Sequence, residues 1–314
     1  MRNEIFIGSR GSDLALWQAK YVKARLEQAF PEIAFTIKVI KTTGDEQLET
    51  ALSKIGDKGL FTRQIEDELF HGEIDIAVHS LKDLQTVQPD GLVIGAVCER
   101  EIANDVFISK HAATLDDLGD GATVATGSLR RQSQLLNYRP DIKIADIRGN
   151  VPTRLRKFRE SDFDGMILAF AGLHRLGLDA AVSQLINFDI MLPAVGQGAV
   201  AVEIRAGDER VAALARRLDH KLTRTCITAE RAFLRRLEGG CQVPIGAAAT
   251  LADGTIRLEG MVGSLDGKVV FRDHRTGDAG GAEGLGIMLA ESLIAKGANE
   301  LLEENRRQAG AVPG

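Results

Sequence analysis

The stretch Gly72–Leu84, GEIDIAVHSLKDL, decides the reading of the fold: an acidic turn, an apolar run, then a polar end that opens into a short helix. The stretch Asp162–Leu178, DFDGMILAFAGLHRLGL, repeats that order. Short, nearly continuous apolar runs bounded by Gly or polar residues suit parallel strands covered on both faces. The pattern recurs in EIFIGS (4–9), FTIKVIKT (35–42), GLVIGAV (91–97), ATVATGS (122–128), IKIADIRG (142–149) and AVAVEIR (199–205). After the first of these, DLALWQAKYVKARLEQAF (13–30) puts Ala15, Ala19, Val22, Leu26 and Ala29 on one helical face. The class is therefore α/β, and the echo suggests two similar lobes.

The turn-like stretches near 100–105 and 192–199 give two crossings between the lobes, and hence a hinged cleft. The first domain is expected over 1–99 with 199–217 and the second over 104–194. From 221 to 314 the character changes to strands joined by Asp253-Gly254 and Asp266-Gly267 turns, then a helical stretch, Ala282–Asn305, interrupted by Gly284, Gly286 and Gly297. That is a small α+β third domain, with Cys241 just ahead of its hairpin.

Composition narrows the function. A chain of 314 residues, 44% hydrophobic and 26% charged, is that of a globular protein of two or three domains. Its longest apolar run, MILAFAGL (166–173), is too short to cross a bilayer, and the first residues lack the apolar region of a secretory signal, so a cytoplasmic protein is expected. Cys98, Cys226 and Cys241 are too few and too widely spaced for a disulfide framework, and no HxH or HExxH pair points to a metal. Net charge is −5, yet Thr126–Glu160 holds nine Arg and Lys against three acids, a local +6. With only 5% aromatic residues for stacking on bases, a small organic acid fits that stretch better than nucleic acid.

Three predicted strand ends run into cap-competent residues: GSRGSD (8–13), ATGSLRR (125–131) and IRGNVPTRLRK (147–157). Ser12, Ser128 and Asn150 are suited to N-cap helices there, with Pro152 in a first turn. Helix starts offer free N–H groups to anions, and Arg10, Arg130, Arg131, Arg148 and Arg154 add guanidinium forks matched to carboxylates. A single such Arg reads as a surface ion pair; five at three strand ends read as a receptor for several carboxylates. HSLKDL (79–84) puts Ser80, Lys82 and Asp83 at another strand end, where Asp83 serves either proton transfer and cation stabilisation or a mere pairing with Lys82 or a helix cap. SKIGDKGLFT (53–62), with Lys54, Lys58 and Phe61, reads as a mobile lid or as an ordinary solvated loop. Cys241, behind two glycines, is either a reactive thiol or, like Cys98 and Cys226, a small buried hydrophobe.

Eight stretches in order, GSRGSDLALWQA, GDKGLFTRQIEDEL, DIAVHSLKDL, GSLRRQSQL, IRGNVPTRLRK, ILAFAGLHRLGL, LPAVGQGAV and LEGGCQVPIG, resemble the porphobilinogen deaminase family over almost the full chain. The resemblance implies two lobes like those of solute-binding proteins around a cleft, plus a small α+β domain carrying a cofactor cysteine. It implies a transferase that joins four porphobilinogen molecules head to tail with loss of ammonia, on a dipyrromethane cofactor linked to Cys241 by a thioether, and then releases hydroxymethylbilane. Asp83 matches the family's catalytic aspartate. Lys82, Thr126, Ser128, Arg130, Arg131 and Arg154 match positions that hold the cofactor, and Arg10, Ser12, Ser80 and Arg148 positions that hold substrate. A monomer is expected, without metal, nucleic acid or membrane as partner. A two-lobed anion-binding or regulatory module without catalysis is the alternative, though it gives no reason to keep both the Cys241 loop and Asp83. The chain departs from the family pattern at Leu84-Gln85-Thr86, where Val-Pro-Thr is common, in REIAND (100–105), where REDPRD is common, and at Gly127, where serine is frequent.

Overall fold

The computed structural model describes residues 4–46, 59, 61–238 and 243–310. In chain order its strands are β1 (Glu4–Ser9), β2 (Ala34–Val39), β3 (Ile76–Ser80), β4 (Leu92–Val97), β5 (Asp105–Ser109), β6 (Thr123–Ala125), β7 (Lys143–Ala145), β8 (Gly165–Ala169), β9 (Gln184–Leu185), β10 (Val200–Arg205), β11 (Ile245–Ala252), β12 (Thr255–Gly263) and β13 (Val270–Asp278). The helices are α1 (Asp13–Ala29), the single turn α2 (Thr43–Glu46), α3 (Arg63–Phe70), α4 (Leu129–Tyr138), α5 (Val151–Glu160), α6 (Phe170–Arg175), α7 (Glu209–Ala215), α8 (Lys221–Arg236), α9 (Ala282–Ile294) and α10 (Ala298–Gly310).

The chain divides into two compact units. The first gathers the described residues of Met1–Leu48, Asp57–Glu101 and Gly198–Arg224. Its sheet runs β2-β1-β3-β10-β4. β1 lies parallel to β2 and β3, whereas β10 is antiparallel to both β3 and β4. The parallel reading of AVAVEIR is thus corrected: a strand buried on both faces is continuously apolar whichever way it runs. β2, at the sheet edge, is also half-exposed rather than covered on both faces. Ala19, Val22 and Leu26 of α1 pack with Ile5, Ile7, Ile76 and Val202 into the core of this unit.

The second unit holds the described residues of Ile102–Gln197 and Thr225–Gly314. It contains one mixed sheet, β7-β6-β8-β5-β9, and one antiparallel sheet, β11-β12-β13. The mixed sheet repeats the plan of the first, with β6 parallel to β7 and β8 and the antiparallel β5 entering beside β8. Phe233 of α8 and Leu289 and Leu293 of α9 form the apolar layer against Ile256 and Leu258 of β12. The helical stretch read over Ala282–Asn305 is two helices broken at Ala295–Gly297.

The start of β11 is pinned to the segment after β9. Ala247 N donates to Pro193 O at 3.0 Å. A Cβ on Gly246 would stand 2.9 Å from Leu192 O and 3.1 Å from Leu192 Cβ, so only glycine lets the two backbones approach this closely.

Candidate functional site

In the first unit, Asp83 closes a 3₁₀ turn, Leu81–Asp83, that follows β3 directly. The turn is held from both ends. Leu81 N donates to Ala199 O at 3.0 Å, Leu84 N donates back to Leu81 O at 3.2 Å, and both leucines are buried. Leu84 therefore stands where a turn residue needs an apolar side chain, and the departure from Val-Pro-Thr leaves the turn formed. Among the described residues no hydrogen bond or ion pair uses the half-buried Asp83 carboxylate.

Ser80, three residues earlier, exchanges hydrogen bonds with the buried amide of Gln18 on α1, the shorter being Gln18 Nε2 to Ser80 Oγ at 2.9 Å. Its hydroxyl thus locks the strand end to α1. Ser12 caps α1 by accepting from Ala15 N at 3.4 Å. Arg10, beside it, lays its guanidinium over the Phe61 ring, 4.2 Å from the centroid. Phe61, read from sequence as the end of a lid, is thereby placed beside a substrate-matched arginine; Lys54 and Lys58 lie outside the described residues.

Beneath β3 the same unit buries an ionisable group of three that the sequence did not disclose. His79 Nε2 lies 3.3 Å from Glu203 Oε2 of β10, with both side chains almost wholly enclosed. Glu66 of α3 is also buried. Its burial, and then the Glu203 charge, raise its pKa above the ordinary 4.5.

In the second unit, two strand ends deliver the arginines. After β6, buried Thr126 donates its N–H to Ala145 O at 2.8 Å, and its hydroxyl accepts from Ser128 N at 3.3 Å. Ser128 occupies the cap position of α4 but makes no side-chain cap bond, so the expected serine cap is not formed; the Thr126 hydroxyl instead satisfies the N–H of the cap residue itself. After β7, Asn150 caps α5 by accepting from Thr153 N at 2.9 Å, with Pro152 in the first turn. Arg154 Nε donates to Gly149 O at 2.6 Å, and Arg148 Nε meets Asp146 at 2.9 Å. A Cβ on Gly127 would stand 3.0 Å from Asp146 Oδ1 and 3.1 Å from Arg148 Cζ. A side chain there would displace that ion pair by a few tenths of an ångström.

Arg130 and Arg131, in the first turn of α4, are each only 5% exposed. They converge on Asp105, the first residue of β5. Arg130 Nη1 lies 2.8 Å from Asp105 Oδ2 and donates to Leu192 O at 2.6 Å. Arg131 donates from Nε and Nη2 to Asp105 Oδ1 at 3.1 and 2.7 Å, and from Nη1 to Ile167 O at 3.2 Å. Gln197 Nε2 adds a third hydrogen bond to Asp105 Oδ1, at 2.9 Å, beside the two from Arg131. Burial alone would push the Asp105 pKa up, but the two guanidinium charges outweigh it and hold the carboxyl well below the ordinary carboxylate range. Sequence reasoning missed Asp105, Gln197 and Gln134, the last of which clasps Leu192 through both its N–H and its carbonyl. The one available signal was an acid heading an otherwise apolar strand, DVFIS (105–109).

Two guanidinium groups against one carboxylate leave one positive charge over in a buried cluster, an arrangement that calls for an anion. The donor set, with Thr126 and the capped start of α5, fits a group bearing several carboxylates. Cys241 lies outside the described residues; on either side of it, Leu237 and Val243 are buried in the core of the antiparallel sheet. Cys98 and Cys226 are buried and form no disulfide. Among the described residues no group of three His, Cys, Asp or Glu is placed to hold a metal, and no helix is long and apolar enough to cross a membrane.

Residues 5–213 match the family profile described as "Porphobilinogen deaminase, dipyromethane cofactor binding domain", and residues 224–295 match "Porphobilinogen deaminase, C-terminal domain". The porphobilinogen deaminase of Carboxydothermus hydrogenoformans is 52% identical over 309 residues, which are 98% of this chain and 99% of that protein. That of Pelotomaculum thermopropionicum is 51% identical over 308 residues, with the same coverage. Among solved structures, the methionine-binding protein MetQ aligns with 13% identity and a TM-score of 0.44, over 69% of this chain and 89% of its own.

Proposed function

The chain belongs to the porphobilinogen deaminase family, a transferase family of tetrapyrrole biosynthesis, and from that premise we propose which of its residues carry the reaction. The reaction condenses four porphobilinogen molecules head to tail on a dipyrromethane cofactor, with loss of ammonia, and hydrolysis then releases hydroxymethylbilane. Dipyrromethane, when bound, supplies a tethered pyrrole with a free α-carbon as the point of extension.

Cys241 is the anchor, through a thioether that resists the water that cuts the product free. Arg130, Arg131 and Arg154, with Lys82, Thr126 and Ser128, hold the acidic arms of the cofactor; Arg10, Arg148, Ser12 and Ser80 serve those of the incoming substrate. Each porphobilinogen brings an acetate and a propionate, so every ring needs cationic donors of this kind. Asp83 stabilises positive charge on pyrrole nitrogen as ammonia leaves and the new bond forms. The observation that carries this assignment is the buried Asp105 cluster with its surplus of one positive charge, since it demands an acidic ligand. We also assign three domains, 1–99 with 199–217, 104–194 and 221–314, a monomeric state and a cytoplasmic location, and we read the stretch with Lys54, Lys58 and Phe61 as a lid. The test is stoichiometry: the purified chain should release about four ammonia per hydroxymethylbilane, and porphobilinogen consumed without a linear tetrapyrrole would refute the assignment.

A further inference from the structure

Arg130 and Arg131 differ in what they have left to give. Arg131 engages Nε, Nη1 and Nη2 with Asp105 and Ile167 O. Among the described residues Arg130 uses only Nη1, shared between Asp105 and Leu192 O, which leaves Nε and Nη2 for an anion. The carboxylate between them is wholly enclosed and fixed from a third side by Gln197, whose Nε2 also donates to Ala103 O at 2.6 Å. Asp105 and Gln197 sit at the two ends of a chain stretch, Ile102–Gln197, that belongs to this unit. Leu192 O, which receives Arg130, is the same oxygen that leaves no room for a side chain on Gly246, five residues after Cys241.

We propose that Asp105, fixed by Gln197, is a positioning residue: it fixes the planes of two adjacent guanidinium groups and cancels one of their charges, so that Arg130 presents an oriented fork, and Arg131 its two remaining N–H groups, to pyrrole carboxylates. This rests on the reading that Arg130 holds the cofactor. Without the shared acceptor, both guanidinium groups lose their aim and compete for the same ligand. A bidentate carboxylate contact tolerates little misplacement, so a loss of orientation shows as weaker cofactor loading in protein that is still folded.

The experiment uses the full chain made without porphobilinogen, titrated with porphobilinogen, with loading read as added mass and folding checked by circular dichroism. Asp105→Asn and Asp105→Glu are expected to raise the porphobilinogen concentration for half-loading by roughly tenfold or more in the folded fraction. Gln197→Leu, which leaves all charges in place, is expected to raise it by about threefold and decides the matter if neither Asp105 variant folds. A role in stability alone would lower the melting temperature and leave half-loading of the folded fraction unchanged, and that result overturns the inference. Arg130→Met separates the two layers. If it fails to load while the Asp105 and Gln197 variants load normally, only the positioning role falls; if it also loads normally, the assignment of Arg130 to the cofactor falls with it.

Discussion

Asp83→Asn removes one charge and keeps the side chain's size. The turn that carries it is held by the Leu81 N to Ala199 O bond and by the buried Leu84, neither of which involves the carboxylate, so the backbone should stay as it is. A unit positive charge about 4 Å from a carboxylate is stabilised by roughly 4 kcal/mol at an effective dielectric near 20. Half-exposure of the carboxylate, and the dipole that asparagine retains, reduce the expected loss to about 3 kcal/mol, the range seen when a preorganised electrostatic partner is removed. That corresponds to about two orders of magnitude in kcat. The assay has two stages: intact mass to establish that cofactor or an arrested intermediate is attached, then ammonia release at saturating porphobilinogen. The expected result is a loaded protein with kcat down roughly 100-fold and little change in KM. A loaded variant with kcat within about threefold of the parent would remove Asp83 from the chemistry.

Two further outcomes follow from packing and from burial. Gly246→Ala forces a methyl group against Leu192 O and Leu192 Cβ, and should destabilise the chain by about 1–3 kcal/mol in denaturant melts; an unchanged midpoint would show that β11 moves away at no cost. Glu66 holds its proton in the folded chain at pH values where the unfolded chain has lost it, so its contribution to stability is full below 4.5 and is lost as pH rises through the raised native value. Glu66→Gln should therefore gain stability relative to the parent between pH 5 and 8, and parallel pH profiles for the two proteins would contradict the cluster as described.

The α/β class was legible because buried strands and amphipathic helices write different periods into the sequence, and the basic stretch was legible because charge adds up along the chain. Strand direction was not. β10 is buried along almost its whole length and apolar but for Glu203 and its last residue, Arg205, much as a parallel strand would be, and only its pairing with β3 and β4 reveals that it runs the other way. β5 is hard to read because it is short, opens on an acid and follows a stretch with the character of a junction. The partners of Arg130 and Arg131 were illegible for a related reason: Asp105 precedes them by 25 and 26 residues and Gln197 follows, so the cluster exists only once β5, α4 and the segment after β9 have come together. The partner of Ser80 was illegible in the same way, since Gln18 lies 62 residues away in the chain.

The central claim is that one sulfur carries the growing chain, and intact mass tests it most directly. Full-length protein from a porphobilinogen-producing host should weigh more than its sequence by two linked pyrrole units, and Cys241→Ser protein should not. An unmodified parent, or the same added mass on the serine variant, would contradict the account.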